Sequence, residues 1–131
     1  MLSLQGVSHV GIRVTERERS IAFYAKLGFV AVAEHTPDRV VVLRNAAGVE
    51  INFIVNGKPF ERRSNVLMDI ADKYPGYTHV AFDVASMEET VAALGTLGVA
   101  ISDGPMRLGP GLSLFVRDPD RNVIELRQAR A

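Results

Sequence analysis

The chain is written twice, and that repeat constrains its fold more than any other feature. Ser8 to Phe29 lies without a gap on Thr78 to Val99 at an offset of 70 residues. His9/His79, Val10/Val80, Val14/Val84, Ala22/Ala92, Leu27/Leu97 and Gly28/Gly98 are identical pairs. Further on, Val49-Glu50-Ile51 falls opposite Ile124-Glu125-Leu126 at an offset of 75. A repeat of this kind means two copies of one supersecondary unit. Each copy offers one imidazole and one carboxylate, so His9, Glu50, His79 and Glu125 together make a natural four-ligand set for a metal ion.

Each half opens with strict alternation. Val10, Ile12 and Val14 share one face, with His9, Gly11 and Arg13 on the other. Val80, Phe82 and Val84 likewise oppose His79, Ala81 and Asp83. Period two predicts half-buried strands whose apolar face needs a covering helix. Thr15 with Glu18, and Ser86 with Glu89, read as capping boxes that start those helices. Ile21, Tyr24 and Leu27, matched by Val91, Leu94 and Leu97, are the expected buried stripes. Gly28 and Gly98 stand where a left-handed residue ends a helix.

Three short strands are expected after each helix: Phe29–Glu34, Arg39–Arg44 and Val49–Val55, then Val99–Ser102, Leu112–Arg117 and Val123–Arg127. Turns at Thr36-Pro37-Asp38, Asn45–Gly48 and Asp118–Asn122 separate them. The fold class is therefore α+β: two tandem βαβββ modules forming concave mixed sheets around a metal site, with helices on the outer face. One domain spans residues 1–131, with repeats at about 7–55 and 77–127 joined by 56–76. That joining segment is either a linker with a short helix near Val66–Ala71 or a lid, since loops of such length are often functional.

Composition removes whole classes of function. Lys+Arg and Asp+Glu are both 15, so no net field recruits nucleic acid or an anionic membrane. Cysteine is absent, which excludes disulfides, a thiol nucleophile and thiolate metal ligands. Any metal must take nitrogen and oxygen donors. No apolar run approaches the roughly 20 residues of a membrane-spanning helix, and Met1-Leu2-Ser3-Leu4 lacks the pattern of a signal peptide. The expected location is cytoplasmic.

On the opening strands each histidine lies opposite the valines that must contact the helix. Glu50 and Glu125 have apolar neighbours on both sides, so they too point away from the helices. Taken singly, a strand histidine or a strand-end glutamate is usually hydrogen-bonded or solvated. Recurrence in both halves favours a metal site, and imidazole with carboxylate suits Zn²⁺, Ni²⁺, Co²⁺, Fe²⁺ or Mn²⁺. His35 has no counterpart and is expected in an exposed turn.

The chain resembles the vicinal oxygen chelate superfamily, which includes glyoxalase I, extradiol dioxygenases, fosfomycin resistance proteins and bleomycin-binding proteins. The markers are His9-Val-Gly-Ile-Arg-Val, Ser20-Ile-Ala-Phe-Tyr before Leu27-Gly28-Phe29, Tyr77-Thr-His79-Val-Ala-Phe, and Phe115-Val-Arg-Asp118-Pro119-Asp120 leading to Ile124-Glu125-Leu126. The His, Glu, His, Glu set looks most like glyoxalase I. That resemblance implies metal held by His9, Glu50, His79 and Glu125, with Ni²⁺, Zn²⁺ or Co²⁺ ahead of Fe²⁺ or Mn²⁺. It also implies a hemithioacetal-type substrate and an enediolate. Glu125 is the first candidate for the proton-carrying base and Glu50 the second.

Arg13 matches the family arginine that grips a glutathione carboxylate; an ion pair with Asp83 is the competing reading. Arg107, in a loop, stands where glyoxalases tend to carry a glutathione-binding lysine. Four residues beyond the first metal glutamate, glyoxalase I carries an asparagine that contacts glutathione, whereas this chain has Ile54. The alternatives are an Fe²⁺ ring-cleaving or other dioxygenase and a non-catalytic small-molecule-binding protein. Chains of this size in the superfamily usually form homodimers. Sequence does not distinguish a site within one chain from one shared with a partner.

Overall fold

In the computed structural model, residues 1–35, 37–59 and 64–131 are described, and they divide into two compact units, Met1–Pro59 and Phe60–Ala131. The first contains β1 (Val10–Arg13), α1 (Arg17–Lys26), β2 (Val30–His35), β3 (Val40–Arg44) and β4 (Glu50–Ile54). The second contains β5 (His79–Asp83), α2 (Met87–Leu97), β6 (Ile101–Leu108), β7 (Gly111–Arg117) and β8 (Val123–Gln128). Each is βαβββ. The sheets are four-stranded and ordered β1-β4-β3-β2 and β5-β8-β7-β6. In both, the opening strand runs parallel to the closing one and the remaining pairings are antiparallel.

Alternation explains the burial. In β4, Ile51 and Phe53 are buried while Glu50, Asn52 and Ile54 are only half-buried. Tyr24 of α1 is fully buried and meets the rings of Phe29 and Phe53 edge-on, with centroids 6.2 and 5.2 Å away. Offset or edge-on ring packing of this kind adds to area burial. In the second unit Leu94, Leu114, Val116 and Ile124 fill the equivalent layer. Leu97, expected in that stripe, is exposed.

The two helix starts differ. Ser86 Oγ accepts the Glu89 N–H at 3.2 Å, as the capping box requires, and Gly98 closes α2 at φ 70°. Helix α1 begins one residue later than Thr15 implies: Glu16 is its N-cap, and its side chain makes no capping bond. Gly28 still supplies the positive φ after α1.

Three further expectations are corrected. Segment Val66–Ala71 is a turn and not a helix: Asn65 Oδ1 accepts from the Leu67 and Met68 N–H groups, drawing the chain round its own side chain. His35 is exposed but ends strand β2 instead of lying in a turn; Thr36, the first residue of the expected turn, lies outside the described residues. Strand β6 runs past Ser102 to Leu108, through a cis Gly104–Pro105 bond and two register shifts. Proline is tolerated because β6 is an edge strand, whose outer N–H groups need no partner. Strand β2 is the corresponding edge of the first sheet and is exposed along its whole length. Its pairing is interrupted by a shift between Ala31 and Ala33, and Arg17 grips Glu34 through Nε at 3.1 Å and Nη2 at 2.9 Å.

Candidate metal centre

Both histidines sit at the mouth of an opening strand, and both are held from behind by the hydroxyl of the preceding residue. Ser8 Oγ lies 3.0 Å from His9 Nδ1, and Thr78 Oγ1 lies 2.8 Å from His79 Nδ1. This orients each ring so that Nε2 faces the closing strand. His79 Nε2 meets Glu125 Oε1 at 3.1 Å. The Phe115 ring meets His79 edge-on at 5.9 Å.

In the first unit the acceptor on His9 Nε2 is an amide. Oriented to satisfy its neighbours, Asn52 accepts from His9 Nε2 at 3.3 Å and donates to Glu50 Oε2 at 3.2 Å. Glu50 approaches His9 through Nδ1, at 3.8 Å, while its Oε1 is held by Arg44 Nε and Nη2 at 3.1 and 3.0 Å.

Sheet register explains why. Val10 pairs with Ile51 and Gly11 with Asn52; in the second unit Val80 pairs with Ile124 and Ala81 with Glu125. Closing strands therefore correspond at an offset of 73, not the 75 suggested by matching Val49-Glu50-Ile51 to Ile124-Glu125-Leu126. The counterpart of Glu125 is Asn52, and the counterpart of Glu50 is Val123. A slip of two residues leaves every side chain on its proper face, so the apolar alternation could not reveal it.

The remaining rows follow. Arg44, opposite Glu50, corresponds to Arg117, opposite Val123. With no carboxylate beside it in the sheet, Arg117 reaches outward and takes both oxygens of Asp69 at 2.8 Å. That bond, with help from the Asn65 N–H, holds the Asp69 carboxyl down at about 2 from an ordinary 3.8. It also ties the segment after residue 63 to strand β7.

Glu125 is buried, with 8% of its surface exposed. Ser113 Oγ donates to its Oε2 at 2.7 Å, and Arg127 Nη1 lies 3.2 Å from the same hydroxyl. Sequence reasoning missed Asn52, Ser113 and Arg127. Ser113 had a signal: it is the polar residue within the apolar run Leu112-Ser113-Leu114-Phe115-Val116.

Arg13 donates from Nε to Asn56 Oδ1 at 3.0 Å. Gly57 makes that possible by letting the chain hook back: its N–H reaches Val14 O at 2.9 Å, where a Cβ would stand 2.7 Å from that oxygen. Arg107 lies within strand β6, opposite Leu112, and not in the expected loop.

Within neither unit do three or more His, Asp or Glu side chains gather into a metal-holding group among the described residues. The donor chemistry nonetheless fits a divalent ion. Each Nδ1 is backed by a hydroxyl, which holds the ring in place as the outer partners of metal-bound histidines do and can pair with either tautomer, and each Nε2 faces an oxygen.

Comparison with known proteins agrees with this architecture. The model of the Glyoxalase/Bleomycin resistance protein/Dioxygenase superfamily matches residues 6–126. A glyoxalase domain-containing protein, RDO1, from Mycosarcoma maydis is 30% identical over 130 residues, covering 95% of this chain and 69% of that protein. The crystal structure of virulence protein STM3117 from Salmonella typhimurium superposes with a TM-score of 0.70 at 26% identity, covering 97% of this chain and 98% of that one. The fosfomycin resistance protein FosX from Listeria monocytogenes shares the fold, with a TM-score of 0.72 at 21% identity over 98% of this chain and 94% of that one.

Proposed function

This chain belongs to the Glyoxalase/Bleomycin resistance protein/Dioxygenase superfamily, and we propose that within it the protein is a divalent-metal-dependent lyase or isomerase of the glyoxalase type, acting through an enediolate on a small hemithioacetal-type substrate. The observation that carries this reading is the matched pair of hydroxyl-backed imidazoles, each with Nε2 turned to an oxygen of its closing strand. His9, His79 and Glu125 are the principal donors, with first-half oxygen supplied by Asn52 or Glu50. Ni²⁺, Zn²⁺ and Co²⁺ suit the set, and Fe²⁺ and Mn²⁺ are compatible with it. When bound, such an ion supplies Lewis-acid polarisation of adjacent substrate oxygens.

The protein's own groups do the rest. For His9 and His79 to offer a lone pair from Nε2, Nδ1 must carry the proton and donate it to Ser8 or Thr78. Glu50 is the better proton carrier of the two glutamates. Its side chain is 20% exposed against 10% for Glu125, and its partner Arg44 is itself 55% exposed, so it can reorient. Counting from Asn52 restores a further family feature. The position four residues on is Asn56, not Ile54, and Asn56 already holds Arg13. Together they form a grip for the carboxylate and amide groups of a thiol cofactor such as glutathione. Arg107, exposed on β6, is a second contact for such a cofactor. A homodimer is part of the same reading, supported by the exposed apolar side chains of Leu2, Leu4 and Val7.

The deciding experiment is turnover of a methylglyoxal–glutathione hemithioacetal by metal-stripped protein reloaded separately with Ni²⁺, Co²⁺, Zn²⁺ and Fe²⁺. Metal-dependent thioester formation supports the lyase. Tight metal binding without conversion removes that substrate. The second reading, an oxygenase, is favoured by Asn52, which leaves a single carboxylate at the register-matched positions; O₂ uptake by the Fe²⁺ form identifies it.

A further inference from the structure

We infer that Ser113 and Arg127 form a relay that fixes the Glu125 carboxylate as a one-oxygen donor, keeping Oε2 turned into the sheet and presenting Oε1 beside His79. The consequence for metal binding rests on the function proposed above; the orientation of Glu125 does not.

The direction of the relay follows from counting protons. A guanidinium has only donors and a serine hydroxyl has a single proton. At 3.2 Å Arg127 Nη1 must therefore donate to Ser113 Oγ, and the hydroxyl proton must point to Glu125 Oε2 at 2.7 Å. Arg127 is anchored in turn, because Nη1 and Nη2 both donate to the Leu108 carbonyl at 3.2 Å. Every link is set by register: Ser113 pairs with Arg127, and Glu125 lies one step along the same face, opposite Phe115.

Ser113 is fully buried and Glu125 nearly so. A buried carboxylate costs several kcal/mol unless donors compensate it. A short charge-assisted bond also removes the freedom of the carboxyl group to rotate. The first unit shows what happens where that need is missing. The register counterparts of Ser113 and Arg127 are Val40 and Ile54, and the residue they flank is the neutral Asn52. At these two positions the polar pair stands behind the charged Glu125 and the apolar pair behind the neutral Asn52. With Oε2 occupied, Glu125 is a stationary donor, which leaves proton carriage to Glu50.

The test uses Ser113→Ala, Ser113→Thr and Arg127→Met in the full chain. High-resolution crystal structures of the metal-free proteins should show one Glu125 carboxylate orientation in the parent and the threonine variant, and a rotated or split one in the alanine variant. Calorimetric Co²⁺ affinity should fall 10–100-fold in Ser113→Ala, less in Arg127→Met, and about threefold or less in Ser113→Thr. An unmoved Glu125 in Ser113→Ala, or unchanged Co²⁺ affinity there, overturns the relay. If the parent binds no Co²⁺, the metal reading fails instead, and the orientation of Glu125 alone decides the relay. Should Ser113→Ala not fold, Arg127→Met carries the same comparison.

Discussion

The two units share one plan and differ in how they treat the residue facing the histidine. In the second unit that residue is a buried carboxylate, Glu125, backed by Ser113 and Arg127. In the first it is an amide, Asn52, flanked by Val42, Val40 and Ile54, with the carboxylate one row away in Glu50. The arginines of that row diverge in the same way: Arg44 stays in the sheet to hold Glu50, and Arg117 leaves it to hold Asp69. Two matching frameworks thus carry different side chains in one row: one half holds a fixed buried carboxylate, and the other an amide with a more exposed carboxylate beside it.

The sharpest way to break this comparison is Glu125→Gln. It should reduce turnover by about 100-fold or more while some metal is retained, consistent with loss of a principal charged group (about 2.7 kcal/mol at that ratio). Unchanged turnover in that variant would remove Glu125 from the chemistry. Next in size is Asn52→Glu, which gives the first unit the second unit's acceptor without its support. Metal-free protein should lose about 2 kcal/mol of stability, because the new carboxylate has apolar neighbours and lies beside Glu50. Metal affinity should rise, so chemical denaturation with and without Zn²⁺ checks both signs.

A smaller effect separates the two row arginines. Because Asp69 titrates at about 2 when folded and near 3.8 when unfolded, its pairing adds stability above the unfolded value and loses it as the pH falls from 4 towards 2. Asp69→Asn should cost about 1 kcal/mol at pH 7, discounted for partial exposure, and almost nothing at pH 2. A pH series of denaturant midpoints gives the slope. Comparable in size is the helix start: Ser86→Ala should cost about 1 kcal/mol and Glu16→Ala less. Ser86 is an N-cap whose side chain accepts the Glu89 N–H, and Glu16 is an N-cap whose side chain makes no capping bond; thermal denaturation of the two variants checks the order.

Much of the fold was legible because alternation, capping serine and terminal glycine are local signals, and their recurrence at an offset of 70 reinforced them. The histidines were legible for the same reason. The partner of His9 was not, since Glu50 and Asn52 share a face and only the backbone pairing of Gly11 with Asn52 tells them apart. The length of β6 was also hidden: Gly104-Pro105 reads as a strand end, and only an edge position lets pairing resume beyond it. Ser113 and Arg127 acquire meaning only once Glu125 is known to be buried beside them with Ser113 as its donor.

Strand β2 carries a last consequence, for colloidal behaviour rather than for catalysis. It is the border of its sheet, with Val30 and Val32 open to solvent at 64% and 50% and, among the described residues, no further strand paired to its outer side. Such a border templates intermolecular strand addition. The kink between Ala31 and Ala33 spoils its flatness, and the Arg17–Glu34 clamp plants paired charges along it. What that clamp protects is solubility: breaking it should leave the melting temperature nearly unchanged and lower the concentration at which the protein begins to self-associate.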